Sequence, residues 1–547
     1  MKKVIIFYIL LFAFVVFNID IISVIGIFND IKLSPKNHLK NILIPISVGF
    51  VFLAFLASII KEKYFKLLLV IITVPLTFIN SILIWYALYY GSFIDIEVMH
   101  TILNSNTAET KEFISYVFNY KMILTILILT IPYILIFFMK PYKIKNKILL
   151  SLMLIASMVT FILIYDKRWI KREIAITKIA EVYAKTNEDR IKFMQILAEA
   201  DNKTVQFENI TSYLSKDKKQ VFVFVINESQ NKHHFSLYGY KNKTTPFLDS
   251  ISDELFVFND VVSPSIFTNS SVEKMITFSD NHNKLKGYEA GNIITFFKNA
   301  GFHTYWFSNQ YFLGEHESAY SAIAYRSDTT HYLNKISGHF LETKNFDDAL
   351  IPLFKKALKD NYNKKFIVLH FMGSHAPFEA RYPSNFGSFK YNLGLKDISG
   401  SISKQKSIAT YDNSIEFTDH ILKDIISDLK KDNNESYLLF LSDHGVDVYD
   451  TDPNIEFTRS MSNLTQSMYE IPFFIWFSDE YKNSYPEIIN STKSSLNKPY
   501  QTDRVDHTII DLSRLKHEIF KSEDSIISID YKTKERFIGE IPVDIYK

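Results

Sequence analysis

The sequence predicts an N-terminal bundle of five transmembrane α-helices joined to an α/β domain with a mostly parallel sheet. Three observations carry that expectation. Five long apolar stretches, at 4–28, 41–60, 67–90, 122–139 and 148–165, contain one charge among them, Asp20. Beyond them, short apolar runs alternate with helical patterns through the rest of the chain. The residues best suited to hold a metal fall directly after those runs.

Each of the five stretches reaches the roughly 18–25 residues that cross a hydrocarbon core as helix. The first begins Met1-Lys2-Lys3, as a signal peptide would, but its apolar run is too long and no small-residue cleavage site follows. Lysines 2, 3, 61, 63, 66, 140, 143, 145 and 147 flank one set of ends, and the opposite side carries Lys32, Lys36 and Lys40 and then a mostly acidic loop at 92–120. Positive charge stays inside, so five crossings would deliver everything after Asp166 to the outer face. The boundaries that follow are a membrane domain at 1–165, connector helices at 166–216 and an outer domain at 217–547. Within the 92–120 loop, Thr101, Ser105 and Glu109 recur every four residues, one polar stripe on a helix.

Composition narrows the function classes. Of 547 residues, 61 are Lys or Arg and 59 are Asp or Glu, so a nucleic-acid binder working through a global basic field is excluded. Cysteine is absent, which removes disulfide frameworks, thiolate metal sites and cysteine nucleophiles together.

In the outer domain the apolar runs are 221–226, 304–307, 366–371, 437–441 and 472–477, with helical patterns at 291–300, 347–358 and 404–429. Buried runs separated by helices imply a parallel sheet covered on both faces, with ligands at the carboxyl ends of its strands. The first run leads into Asn227-Glu228-Ser229, the third contains His370 and leads into Met372-Gly373-Ser374-His375, and the fourth leads into Ser442-Asp443-His444-Gly445. Three strands thus bring Glu228, His375, Asp443 and His444 toward one rim, an oxygen and imidazole set suited to zinc. A nucleophile without cysteine must be a hydroxyl. Ser265, Thr268, Ser270 and Ser271 all precede a helical pattern from Val272, where the dipole favours both an activated hydroxyl and a phosphate. Composition does not choose among them.

The order of these words resembles the alkaline phosphatase–sulfatase superfamily, and within it the membrane-bound phosphoethanolamine transferases of Gram-negative bacteria. The likeness runs through Asn227-Glu228-Ser229, Phe235-Ser236-Leu237-Tyr238-Gly239-Tyr240, Thr244-Thr245-Pro246, His370 to His375, Arg381-Tyr382-Pro383, Tyr411-Asp412-Asn413-Ser414 and Ser442-Asp443-His444-Gly445. It implies a sulfatase-like, alkaline phosphatase-type outer domain in the periplasm, anchored in the inner membrane by a multi-pass bundle. It further implies one catalytic zinc, with room for a second and in preference to manganese or magnesium, held by Glu228, Thr268, Asp443 and His444. Thr268 would be the nucleophile and His375 would act on the transferred phosphate. Asn309, His370 and the stripe Thr101, Ser105 and Glu109 would border the substrate. The implied donor is phosphatidylethanolamine. The implied acceptor is lipid A, a core oligosaccharide sugar or a periplasmic protein, and the implied state is a monomer.

Two other readings share these residues: a lipoteichoic-acid-synthase-like enzyme moving glycerol phosphate, and a phosphatase or sulfatase that hydrolyses its intermediate. The Tyr238-Gly239-Tyr240 and Thr244-Thr245-Pro246 words favour the ethanolamine branch. The chain departs from that branch in having no cysteine, Leu313 where a lysine is usual, and no histidine between His444 and His507. Asp447, Asp450, Asp452 or Arg459 would then occupy the histidine's space.

Overall fold

The computed structural model describes residues 205–547 except 284, 286, 313–318, 338–339, 342–344, 392–400, 452–460, 462–463 and 544–547. Before residue 205 it describes scattered positions, the longest run being 50–71. Two compact units divide the chain, Met1–Ile102 with Ile114–Asp189, and Leu103–Phe113 with Arg190–Lys547. Most of the five apolar stretches, the connector and the stripe Thr101, Ser105 and Glu109 lie outside the described residues. Among the described residues, no helix is long and apolar enough to cross a membrane. In the first unit, helical segments 50–59 and 62–71 bury Leu53, Ala54, Ala57, Phe65 and Leu69 against Phe7 and Leu11. Ile59, Leu67 and Ile71 of the same segments stay exposed.

The second unit is built on an eight-stranded sheet. Its strands in chain order are β1 (Gln220–Asn227), β2 (Leu255–Val257), β3 (His303–Phe312), β4 (Thr329–Ser337), β5 (Phe340–Leu341), β6 (Lys364–His370), β7 (Glu435–Ser442) and β8 (Phe473–Phe477). Across the sheet the order is β2, β8, β7, β1, β6, β3, β4, β5. The expected mostly parallel sheet is in fact mixed. Strands β7, β1, β6, β3 and β4 run parallel, whereas β8 pairs antiparallel with both β7 and β2, and β5 pairs antiparallel with β4. The apolar run containing β8 therefore turns the sheet's direction at that side. β4 escaped the sequence reading because its residues Thr329–Ser337 are mostly polar.

Burial on both faces explains the unbroken apolar runs. Alternate residues Phe222, Phe224 and Ile226 of β1 share one core with Val272 and Met275 of α1 (Thr268–Ile276), Phe296 and Phe297 of α2 (Ile293–Asn299), and Val505 and Ile509 of α5 (Val505–Leu512). Phe297 stacks on Phe366 of β6 with ring centroids 3.9 Å apart. Val221, Val223 and Val225 in the opposite phase are equally buried. Packed on each other are α3 (Ile351–Lys359) and the long α4 (Ser401–Lys431), whose Ile415, Leu422, Ile425 and Leu429 are buried.

Helix limits follow local chemistry. The pattern at 291–300 begins as helix only at Ile293 because Asn292 caps it, its Oδ1 accepting from Thr295 N at 2.9 Å. The pattern at 347–358 divides into a 3-10 turn, Asp347–Leu350, and α3, whose first turn holds Pro352, a residue that starts helices but cannot sit inside one.

Candidate active site

The three strands that lead into the candidate ligands end at one rim. Glu228 follows β1, Asp443 and His444 follow the adjacent β7, and the loop Met372–His375 follows β6 on the other side of β1. Thr268 opens α1. Glu228, Asp443 and His444 are fully buried and offer ligand atoms within 4.8 Å of one another. Thr268 Oγ1 lies 3.0 and 3.1 Å from the two carboxylate oxygens of Glu228 and 3.3 Å from His444 Nε2. His444 Nε2 in turn lies 3.4 Å from both Glu228 Oε1 and Asp443 Oδ2. Ser265 instead receives Phe267 N at 3.1 Å, and Ser271 donates to the main-chain oxygen of Asp443. Geometry thus separates Thr268 from two of the hydroxyls that composition left equal.

The bonds behind these groups fix which of their atoms face one another. Asp443 Oδ1 accepts two main-chain N–H groups, Ser229 N at 3.0 Å and His444 N at 2.7 Å, while Oδ2, buried, has no hydrogen-bond partner. His444 Nδ1–H donates to Gly445 O at 3.0 Å, which leaves Nε2 as a ligand lone pair. Ser229 sits at a φ of 60°, a strained conformation for a residue with a side chain. From there its Oγ reaches Glu228 Oε1 at 2.7 Å and its N–H reaches Asp443. Burial, then the neighbouring charge of Glu228, pushes the Asp443 carboxyl well above its ordinary range. Two buried carboxylates, one imidazole in the correct tautomer and a hydroxyl make a donor set that fits zinc, Asp443 Oδ2 being a buried oxygen without a hydrogen-bond partner.

A family model described as Sulfatase matches residues 220–515, more than half of the chain. The chain belongs to the sulfatase family. Phosphoethanolamine transferase EptC of Escherichia coli (strain K12) is 26% identical over 510 residues, covering 87% of this chain and 85% of its own. Phosphoethanolamine transferase CptA of Salmonella typhimurium is 26% identical over 475 residues, covering 83% and 81%. The crystal structure of the C-terminal periplasmic domain of E. coli EptC in complex with zinc matches with a TM-score of 0.56 at 28% identity, over 61% of this chain and 93% of that one. The integral membrane phosphoethanolamine transferase EptA of Neisseria meningitidis shares the fold along 94% of this chain and 97% of its own, with a TM-score of 0.68 at 17% identity.

In this sulfatase-family site the remaining expected residues take separate places. His375 is half-buried, its Nδ1–H on Ala376 O at 2.9 Å. His370 is walled by Trp306 and Tyr320, ring centroids 5.8 and 5.4 Å away, and neither ring nitrogen has a hydrogen-bond partner. Burial lowers its pKa to about 4 against the opposing charge of Glu228, so the ring is neutral at physiological pH. Asn309 is buried, and its amide is engaged by the protein: Nδ2 donates to Asp347 Oδ1 at 2.8 Å and Oδ1 accepts from Asn334 Nδ2 at 2.9 Å.

Sequence reasoning gave no specific contact to several groups behind the rim and did not single out His234. Tyr411 OH donates to Ser229 O at 2.8 Å and accepts from Asn231 N at 2.9 Å. His234 is buried between two carboxylates, Nδ1 on Asp412 Oδ1 at 2.6 Å and Nε2 on Asp450 Oδ1 at 2.9 Å. Burial alone would lower its pKa, but these two acids raise it to about 9. Asp450 is thereby committed to His234, and Asp447 accepts Asp450 N at 2.9 Å and Thr465 Oγ1 at 2.8 Å. Both therefore brace the 446–450 loop; Asp452 and Arg459 lie outside the described residues. The usable signal was the proximity of His234 to the Phe235–Tyr240 word.

Proposed function

We propose that this chain transfers phosphoethanolamine from phosphatidylethanolamine to an acceptor of the bacterial cell envelope through a covalent phosphothreonine intermediate. The acceptor is lipid A, a core oligosaccharide sugar or a periplasmic protein. The observation that carries the reading is Thr268 Oγ1 at the start of α1, 3.0 Å from Glu228 and 3.3 Å from His444. Relatives named phosphoethanolamine transferases over more than four-fifths of the chain support the group transferred. A membrane bundle at 1–165 would hold the domain beside its lipid donor; its described helices leave Ile59, Leu67 and Ile71 exposed, as a lipid-facing surface requires.

Glu228, Asp443, His444 and Thr268 would hold one zinc ion. Bound there, it supplies Lewis acidity, which lowers the pKa of the threonine hydroxyl and neutralises charge on the phosphoryl oxygens. The protein's own groups do the rest. As Oγ1 bonds to phosphorus, the hydroxyl proton passes along the existing hydrogen bond to Glu228, which returns it when Thr268 is released in the second half. The bond from phosphorus to the glycerol oxygen breaks, and that oxygen takes a proton as diacylglycerol departs. His375, with Nδ1 tied to Ala376 O, presents Nε2 for this proton transfer. In the second half an acceptor hydroxyl gives its proton to His375 and attacks phosphorus, and Thr268 is released and reprotonated. The amino end of α1 favours the anionic phosphoryl group in both halves.

Full-length protein in vesicles of phosphatidylethanolamine with a labelled headgroup tests this directly. The expected result is diacylglycerol release with label on Thr268, both abolished in Thr268→Ala at unchanged membrane insertion. Diacylglycerol released from phosphatidylglycerol alone, or full activity in Thr268→Ala, would overturn the assignment.

A further inference from the structure

Asp347 begins the 3-10 turn that leads into α3, where an acidic residue ordinarily caps its own helix. Its carboxylate, 3% exposed, does something else. Oδ1 accepts Asn309 Nδ2 from β3 at 2.8 Å and Met372 N at 2.8 Å, and Oδ2 accepts Gly373 N at 2.9 Å. Asn309 and Asn334 are joined twice more, through Asn334 Nδ2 to the oxygen of the Asn309 side chain at 2.9 Å and of its main chain at 2.7 Å. One buried charge thus ties the rim of β3 to the loop that follows β6.

That loop is clamped from its far side as well. Ser374 N donates to Glu228 O at 2.9 Å, and Ser374 Oγ meets Ser414 Oγ at 2.7 Å and Gln230 Nε2 at 2.9 Å. Gly373, at a φ of 52°, lies so close to β1 that an added Cβ would stand 2.5 Å from Glu228 O. His375 N closes the turn on Met372 O at 3.1 Å. The imidazole of His375 is therefore carried on a four-residue turn, fixed to the Glu228 main chain on one side and to Asp347 on the other.

We propose that Asp347 is a positioning residue for the transfer reaction, locking Asn309 and the Met372–His375 turn together so that His375 keeps its distance from Thr268 and Glu228. This rests on the role given to His375 above. Asn309 acts here as a strut of the site, since its amide is already bonded within the protein. Removing the carboxylate leaves the buried N–H groups of Met372 and Gly373 short of an acceptor, and the turn relaxes to find others. A displacement of about 1 Å at a reacting group costs on the order of 10²-fold in rate. Asp347→Asn keeps the shape but puts an NH2 donor against one of those two N–H groups, which sit on different carboxylate oxygens.

The experiment is a double-mutant cycle on the full-length protein, scored by initial rates of diacylglycerol release in vesicles of whichever phospholipid the wild type cleaves. A wild type inactive on phosphatidylethanolamine would refute the proposed donor while leaving the cycle readable on the other lipid. Asp347→Asn is expected to lower kcat by about 10- to 100-fold, with KM for the lipid and zinc content each within about twofold of wild type. In a His375→Ala background the same change should cost less than about threefold, because the group it positions is gone. Asn309→Ala, which cuts one strand of the tie and leaves the carboxylate, should lower kcat by a smaller factor and likewise lose its effect beside His375→Ala. The inference falls if Asp347→Asn is fully active, if its loss is the same with and without His375, or if zinc content falls in step with kcat.

Discussion

Raising the pH from 6 to 10 should unload one buried ion triad and leave the rest of the second unit folded. His234 has both ring nitrogens on carboxylates, Asp412 of α4 at 2.6 Å and Asp450 at 2.9 Å, and is 2% exposed. Burial opposes its charge, yet the paired acids hold its pKa near 9 against an ordinary 6.5. The sign follows from the direction. A group that binds its proton more tightly when folded contributes fully below 6.5, and the contribution is lost as the pH rises through about 9. At ~1.4 kcal/mol per pH unit, that interval corresponds to about 3 kcal/mol. With an unfolding entropy of ~2.1 cal/mol/K per residue over roughly 340 residues, the melting temperature should change by about 5 °C. The assay is a series of thermal melts of the detergent-solubilised protein at fixed zinc, comparing wild type with His234→Gln. The wild-type advantage should shrink by about that amount between pH 6.5 and 9.5, and other titrations cancel in the difference. Parallel curves across that window would refute the assignment of His234 as the charged centre of the triad.

Other outcomes follow from the same geometry. Asp443→Ala should purify with little or no zinc by elemental analysis, since it removes the one buried ligand oxygen that no hydrogen bond occupies. Ser229→Ala, which deletes the 2.7 Å bond to Glu228 Oε1, should weaken zinc affinity by about 10- to 100-fold in a competition titration while the melting temperature moves little. Gly373→Ala should fold poorly and melt several degrees lower, because its φ of 52° and the 2.5 Å approach to Glu228 O leave no place for a methyl group.

The sequence disclosed most where one physical demand dominated. Strands β1, β6 and β7 are buried on both faces, so their residues must be apolar without interruption, and the chemistry had to begin where the apolar run stopped. Strand direction leaves no such mark. The residues Phe473–Phe477 of β8 have the composition of a central parallel strand and pair antiparallel on both sides. Asp347 was hidden for a different reason: an acid just before a helix is what the dipole favours anyway, so its contact with Met372 and Gly373 has no separate signature. His234 and Asp450 lie 216 residues apart and their pairing follows only from the folded loop.

The strand order also sets a timetable for the metal centre. Ser229 and Asp443 meet at 3.0 Å although 214 residues separate them, and β7 joins β1 only after the long α4 has passed. A polypeptide emerging from its amino end presents Glu228 and Thr268 long before Asp443 and His444 exist to join them. Contacts of such high sequence separation form late in folding, so the ligand cage closes among the last events of assembly. Metal capture by the proposed ligands would consequently take place in the compartment where the chain finishes folding, and it would serve as a receipt that the whole sheet has been completed.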